Sequence, residues 1–150
     1  LYVSHSSAQR AIRLQANTGT RYPALVTSTG RAMLAYLSDH ELEMFIDENP
    51  VERHTAKTIT DPAQLFDEIR ECGRRGYSVI SDELDYGITS LAATVSVPGR
   101  GVVGAVNSSA QTQRVDLANF AEKRWPFVEA AAHDLGRTLT TTPDLLDVLR

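Results

Sequence analysis

The chain has 150 residues, of which 42% are hydrophobic, 23% charged and 7% aromatic, which is typical of one globular domain with its own core. Its 15 basic and 19 acidic residues give a formal net charge of −4, which argues against nucleic-acid binding by this chain alone. The single cysteine, Cys72, excludes an internal disulfide, and no apolar run reaches the roughly 18 residues of a membrane-spanning helix.

The N-terminal region is predicted to form two short strands, over residues 1–6 and 11–16, joined by a polar turn. The chain begins in this strand-like segment, at Leu1, without an initiator methionine, so we expect a fragment whose upstream part is missing. No leader pattern argues for secretion, and we therefore expect a cytoplasmic protein without membrane contact.

Capping residues predict three helices in the next part of the chain. The caps are Thr27 or Ser28 for the first helix, Ser38 for the second and Asp61 for the third. The third helix has proline at its first position and ends at Gly76. Cys72 falls on the apolar stripe of this helix, which indicates a core residue rather than a nucleophile.

Three strands are predicted to follow, over residues 77–84, 88–97 and 102–110, with short connections typical of antiparallel hairpins. Residues 99–104 match the dinucleotide-binding pattern G-x-G-x-x-G. That pattern needs a helix after its glycines, whereas β-branched residues follow here, so we interpret it as a hairpin turn. No cofactor is expected.

A long helix is predicted from about residue 115 to 139, kinked or restarted at Pro126, before a tail with a short terminal helix. The order of strands, helices, strands and helix predicts an α+β domain in which helices pack on an antiparallel sheet. We place this domain at residues 1–139 and the tail at 140–150.

The sequence offers no clear catalytic or metal-binding pattern. The histidines, His5, His40, His54 and His133, are scattered without metal-ligand spacing. No G-x-S-x-G nucleophile motif is present. A small hydrolase that uses Ser90 and Asp82 with a distant histidine remains the alternative to a binding protein.

Alternation along the late strands suggests a pocket instead. Side chains two apart share a face of a strand, which places a carboxylate and small polar groups among aliphatic side chains. The polar members of these faces are Asp82, Ser90, Thr94, Asn107 and Ser109. A ligand pocket favours this mixture, although a solvent-facing sheet surface would also explain it.

A second feature points to an anion. Ser28, Thr29 and Gly30 lie at the predicted start of a helix, where free backbone N–H groups favour negative charge. Arg21, just upstream, would add a bidentate partner for a carboxylate. Ordinary capping with a surface arginine is the alternative interpretation of this segment.

Four segments together resemble the IclR family of bacterial transcription regulators, in its C-terminal effector-binding domain. They are residues 22–35, 75–84, 87–95 and 101–109. The resemblance implies a GAF-like domain that binds a small metabolite, often a carboxylate, and forms dimers or tetramers. It also implies ligand-binding roles for Ser28, Thr29, Asp82, Ser90, Asn107 and Ser109.

The same resemblance implies that operator DNA is bound by an N-terminal winged helix-turn-helix domain that this chain lacks. Many members read A-V-P-V where this chain has residues 93–96, so the end of that strand departs from the family pattern. The segments near Arg21 and Arg31 lean toward the branch that regulates protocatechuate and β-ketoadipate catabolism. We therefore expect a non-catalytic domain that senses a small organic acid, with a vestigial, self-filled pocket as a further alternative.

Overall fold

The computed structural model describes residues 2–4, 18–142 and 144 and shows helices packed on an antiparallel sheet, as predicted. The helices are α1 (Ser28–Leu34), α2 (Asp39–Glu48), α3 (Pro62–Arg75) and α4 (Phe120–Thr141). The strands are β1 (Ser78–Ser81), β2 (Ile88–Val97) and β3 (Gly101–Gln111). The strand predicted over 11–16 lies outside the described residues, as does most of the short terminal helix. Half of the strand predicted over 1–6 is described, residues 2–4, and these residues are not in a strand.

The predicted helix starts are confirmed because each cap makes its hydrogen bond. Thr27 accepts from the backbone N–H of Gly30, and Asp61 accepts from that of Gln64. At the start of α2, Ser38 forms a reciprocal capping box with Glu41. These local bonds pair N–H groups that would otherwise lack partners at the helix ends.

The sheet has the order β1-β2-β3, and both pairs are antiparallel, as the hairpin prediction required. Gly99, in the turn between β2 and β3, and Gly101, the first residue of β3, have positive φ angles. A strand and not a helix follows these glycines, which confirms the interpretation as a hairpin turn. The prediction of a strand through residue 84 was wrong. β1 ends at Ser81 because Asp82 has a φ of 58°, in the left-handed region that breaks strand alternation.

The last helix also differs from its prediction. Short 3-10 turns occupy Thr112–Arg114 and Leu117–Asn119, so α4 begins at Phe120 rather than near residue 115. It continues without a restart through Pro126 as far as Thr141. Proline in the second turn removes only its own hydrogen bond to the preceding turn, and the packed helix tolerates that loss.

Two apolar clusters lie on opposite sides of the sheet. One joins alternate residues of β2 to α4, and its buried members are Leu91, Ala93, Val95, Val97, Phe120, Val128, Ala132 and Leu139. The other lies among α1, α2 and α3 and contains Leu25, Leu34, Leu42, Ile46, Leu65 and Ile69. Ser90 has the opposite parity to Leu91, so it faces α1. Within the described residues, no helix is long and apolar enough to cross a membrane.

Candidate functional site

A cavity of about 100 Å³ opens between α1, the α1-facing side of the sheet and the β1–β2 connection. Its lining residues are Tyr2, Tyr22, Val26, Thr27, Ser28, Ile80, Leu84, Asp85, Ile88, Ser90, Asn107 and Ser109. Since a single water needs roughly 10–15 Å³ of such space, the cavity has room for a small organic molecule. Apolar walls with a few placed polar groups are the usual composition of a ligand site.

The polar end of the cavity is a connected set of hydroxyls and one amide. Ser90 Oγ lies 2.7 Å from Ser28 Oγ and 3.0 Å from Ser109 Oγ. The Asn107 amide donates to Ser90 Oγ at 3.0 Å and to Ser109 Oγ at 2.9 Å. Ser90 and Ser109 face each other across β2 and β3, and Asn107 lies two residues along the same face. The structure therefore brings four of the predicted site residues together.

Tyr2 closes one side of the cavity and was not predicted. Its ring packs edge-to-face on Tyr22 with centroids 5.7 Å apart. Burial raises the pKa of Tyr2, and hydrogen bonds with Thr29 and Asn107 partly oppose that effect. The backbone of Tyr2 is held by two hydrogen bonds: its N–H donates to the carbonyl of Thr20, and its carbonyl accepts from the N–H of Gly19. Strand alternation and helix caps carry no signal for such a contact.

The predicted anion-binding segment is only partly at the cavity. Ser28 lines it, whereas Thr29 and Gly30 do not, and Thr29 interacts with the Tyr2 hydroxyl instead. The backbone N–H of Gly30 is already bonded to Thr27 Oγ1. A Cβ at Gly30 would overlap the backbone of residue 24, so glycine is needed there for close packing. Arg21 is exposed and is not among the lining residues.

Asp82 is buried behind the cavity rather than in its lining. Its carboxylate accepts hydrogen bonds from Lys57 at 2.7 Å, from the backbone N–H of Gly87 at 2.8 Å and from Thr112 at 2.9 Å. The bond from Lys57 is the main cause that lowers the pKa of Asp82, and burial opposes it. A buried carboxylate is costly without donors, and these three groups of the protein supply them. They hold the β1–β2 connection, which supplies Leu84 to the cavity wall.

A buried ion pair that the sequence reasoning missed supports the start of α1. The Arg31 guanidinium bonds both carboxylate oxygens of Glu83, at 2.9 and 2.6 Å, and its Nε donates to the carbonyl of Leu25 at 2.7 Å. Glu83 also accepts from the backbone N–H of Ile59 at 3.3 Å. The partners are 52 residues apart in sequence, so no local pattern could have predicted the pair.

The described residues also bear on the hydrolase alternative. The Ser90 hydroxyl bonds to Ser28, Asn107 and Ser109, and the Ser109 hydroxyl bonds to Asn107 and Ser90. No described histidine takes part in these bonds. His5 lies outside the described residues. No group of three or more metal-ligating side chains occurs in the described part of the chain. A nucleophilic serine needs a base within hydrogen-bond reach, and no histidine in the described part of the chain bonds to Ser90.

Comparison with known sequences gives a consistent result. Residues 1–148 match the family model for the C-terminal domain of bacterial transcriptional regulators of the IclR type. The Pca regulon regulatory protein of Pseudomonas putida is 31% identical over 136 residues, 90% of this chain and 47% of that protein. The p-hydroxybenzoate hydroxylase transcriptional activator of Acinetobacter baylyi is 28% identical over 118 residues, 78% of this chain and 43% of that protein. The chain thus spans about half the length of the curated relatives it matches.

Solved structures share the fold. The inducer-binding domain of a double mutant of PobR from Acinetobacter, in complex with 3-hydroxybenzoic acid, is 25% identical with a TM-score of 0.79. That match covers 87% of this chain and 77% of the other. The IclR protein of Thermotoga maritima has a TM-score of 0.81 at 21% identity, over 90% of this chain and 54% of the other. None of these comparisons supports the hydrolase alternative.

Proposed function

The chain belongs to the IclR family of bacterial transcriptional regulators, and from that membership we propose that it is the effector-sensing domain of such a regulator. The observation that carries the proposal is the cavity of about 100 Å³ with the Ser28, Ser90, Asn107 and Ser109 cluster at one end. Ser28 and Ser90 are buried, and hydroxyls that converge with an amide on an open space are suited to the polar group of a ligand.

The effector in this proposal is a small organic acid, and an aromatic acid fits the walls best. Val26, Ile80, Leu84 and Ile88 supply apolar contact for a flat ring. Two relatives whose names refer to the Pca regulon and to p-hydroxybenzoate hydroxylase support an aromatic effector. So does the solved inducer-binding domain that holds 3-hydroxybenzoic acid.

Operator DNA would be bound by a winged helix-turn-helix domain upstream, in a cytoplasmic regulator. The effector would act by binding one arrangement of the regulator more tightly than another, because equal affinity for both would shift nothing. We further propose that the domain forms homodimers or homotetramers. The exposed apolar side chains Phe127 and Leu135 on α4 support an assembly that covers them.

A thermal-shift screen of the isolated chain tests the proposal. The panel pairs each aromatic or aliphatic acid with its uncharged amide, and 3-hydroxybenzoate and protocatechuate are included. Because a ligand that binds only the folded state stabilises it, we expect at least one acid to raise the melting temperature with increasing concentration. We expect its amide to do so less. Silence across the whole panel would favour the vestigial-pocket alternative.

A further inference from the structure

We propose that Asn107 is a positioning residue that fixes the direction of the hydrogen bonds at the polar end of the cavity, so that Ser28 offers a proton to the ligand. The inference rests on the proposed function and deepens it. It names the feature that the ligand must present at this end, which is a hydrogen-bond acceptor.

The direction follows from counting donors and acceptors at Ser90. A serine hydroxyl has two acceptor lone pairs and one proton. Both lone pairs of Ser90 Oγ are filled, by the Asn107 amide at 3.0 Å and by the Ser109 hydroxyl at 3.0 Å. The remaining proton of Ser90 therefore goes to Ser28 Oγ, which lies 2.7 Å away.

Ser28 then accepts from Ser90 and keeps its own proton. Its side chain has no other hydrogen-bond partner among the described residues, although the residue is only 3% exposed. Ser28 lines the cavity, so the free proton is available to a bound molecule. A buried donor without a partner is costly, and a ligand oxygen at this point would remove that cost.

Charge does not select an acceptor at this site. Of the described lining residues, Asp85 alone carries a formal charge, and that charge is negative. Arg21, the cation expected from the sequence, is exposed and is not part of the lining. The preference for an acid must therefore come from neutral donors, and the direction of the serine hydrogen bonds decides which groups donate.

Asn107 sets that direction because its amide nitrogen donates to both serines, at 3.0 Å to Ser90 and at 2.9 Å to Ser109. A carboxylate at this position can only accept. With Asn107→Asp, Ser90 and Ser109 would donate to residue 107, and Ser28 would donate to Ser90. The cavity would then present lone pairs where it now presents a proton.

The first arm of the test needs no ligand. Hydrogen exchange of the side-chain amide protons is measured by NMR in the 15N-labelled chain, with the signal of Asn107 assigned by its loss in Asn107→Leu. We expect both protons to exchange more slowly than those of the exposed Gln64 side chain on α3, because both are bonded to serine oxygens. Exchange as fast as that of Gln64 would overturn the proposed direction.

The second arm measures affinity for two probes, 3-hydroxybenzoate and the uncharged acceptor 3-hydroxyacetophenone. In Asn107→Asp we expect both affinities to fall about tenfold, the equivalent of one lost hydrogen bond. The uncharged probe separates this loss from simple charge repulsion. Gln64→Glu makes the same charge change at an exposed site on α3 and should leave both affinities unchanged.

The outcomes are distinguishable. A protected Asn107 amide with no binding of either probe to the wild-type chain supports the direction and counts against the proposed aromatic-acid effector. Binding of 3-hydroxyacetophenone to Asn107→Asp at wild-type affinity overturns the inference. A further outcome is that Asn107→Leu and Asn107→Asp lose affinity to the same extent, each in step with a lower melting temperature. That result would overturn the inference too, because it would show that Asn107 has only a structural role.

Discussion

Single residues decide how the cavity is held in place, and Asp82 shows this most clearly. Its carboxylate joins Lys57, Gly87 and Thr112 behind the cavity wall. The left-handed φ of 58° allows this geometry, and the Thr55 hydroxyl also donates to the Asp82 carbonyl at 2.5 Å. Asp82 thus positions the β1–β2 connection. We expect it to affect ligand binding indirectly, through the position of Leu84 in the cavity wall.

The lowered pKa of Asp82 makes a signed prediction for pH. A carboxylate whose pKa is lower in the folded state than in the unfolded state stabilises the fold at any pH above the unfolded value, which is about 3.9. That stabilisation is lost as the pH falls through the folded-state pKa. We expect Asp82→Asn to lower the free energy of unfolding by about 1 kcal/mol at pH 7. In urea titrations its difference from wild type should shrink below about pH 4.

The control for this measurement is Asp67→Asn, at an exposed position of α3. We expect it to change the urea midpoint little at either pH, as is usual for surface substitutions. A cost of Asp82→Asn that is the same at pH 7 and in acid would contradict the account of this carboxylate.

The Arg31–Glu83 pair leads to a second prediction at this scale. Removing one partner leaves the other as an uncompensated buried charge, so Glu83→Gln should cost about 3–5 kcal/mol in unfolding free energy. Replacing both partners with uncharged residues, in Arg31→Met with Glu83→Gln, should cost clearly less than the sum of Arg31→Met and Glu83→Gln made singly. A double-mutant cycle by urea unfolding measures this, and strict additivity would show that the pair is not coupled.

At Gly30 and Gly136 the backbone of another element lies too close for a Cβ to fit. At Gly136 this reverses the usual effect of replacing a helical glycine by alanine. Glycine to alanine in a helix normally stabilises by roughly 1 kcal/mol. A Cβ at Gly136 in α4 would lie 2.5 Å from the carbonyl oxygen of Ser96 in β2, so the helix would have to move. We therefore expect Gly136→Ala to lower the melting temperature.

Gly73 in α3 provides the matched comparison. A Cβ there would have its nearest neighbour, the carbonyl oxygen of Ala35, at 3.5 Å, which is ordinary van der Waals contact. Gly73→Ala should raise the melting temperature, since only the helix preference acts. If calorimetric scans gave both variants the same sign, the packing of α4 on β2 would not be as described.

For the whole molecule, the features that local rules describe were predictable. Caps at Thr27, Ser38 and Asp61 locate three helices because each cap bonds within its own turn. Alternation brings Ser90 and Ser109 together because β2 and β3 are regular at that point. The family resemblance agrees with these local features.

The features that escaped prediction depend on distant contacts. The left-handed conformation of Asp82 is held by Lys57 and Thr112, which lie 25 and 30 residues away. The contact of Tyr2 with the cavity depends on its hydrogen bonds with Thr29 and Asn107, which are distant in sequence. Local periodicity is blind to such partners, so the end of β1 and part of the site were misplaced.

The proposed assembly makes a prediction at this scale as well. Phe127 is 74% exposed on α4, which also carries the exposed Leu135, and a group of exposed apolar side chains is typical of an interface. We expect sedimentation equilibrium to give a mass that is a multiple of the 16.5 kDa chain. Phe127→Asp should shift the mass toward one chain. A monomer at all concentrations would contradict the proposed dimer or tetramer.

Isothermal titration calorimetry of the wild-type chain with the acid that the screen identifies is the most direct test of the central claim. We predict one ligand bound per chain, with a negative heat-capacity change from the buried apolar walls. Ser28→Ala removes the proton that this serine offers to the ligand and should weaken binding by about 1–3 kcal/mol. The exposed controls Ser96→Ala, in β2, and Arg21→Ala should stay within about 0.5 kcal/mol of wild type. Saturable binding that Ser28→Ala leaves unchanged would place the effector elsewhere and contradict the account.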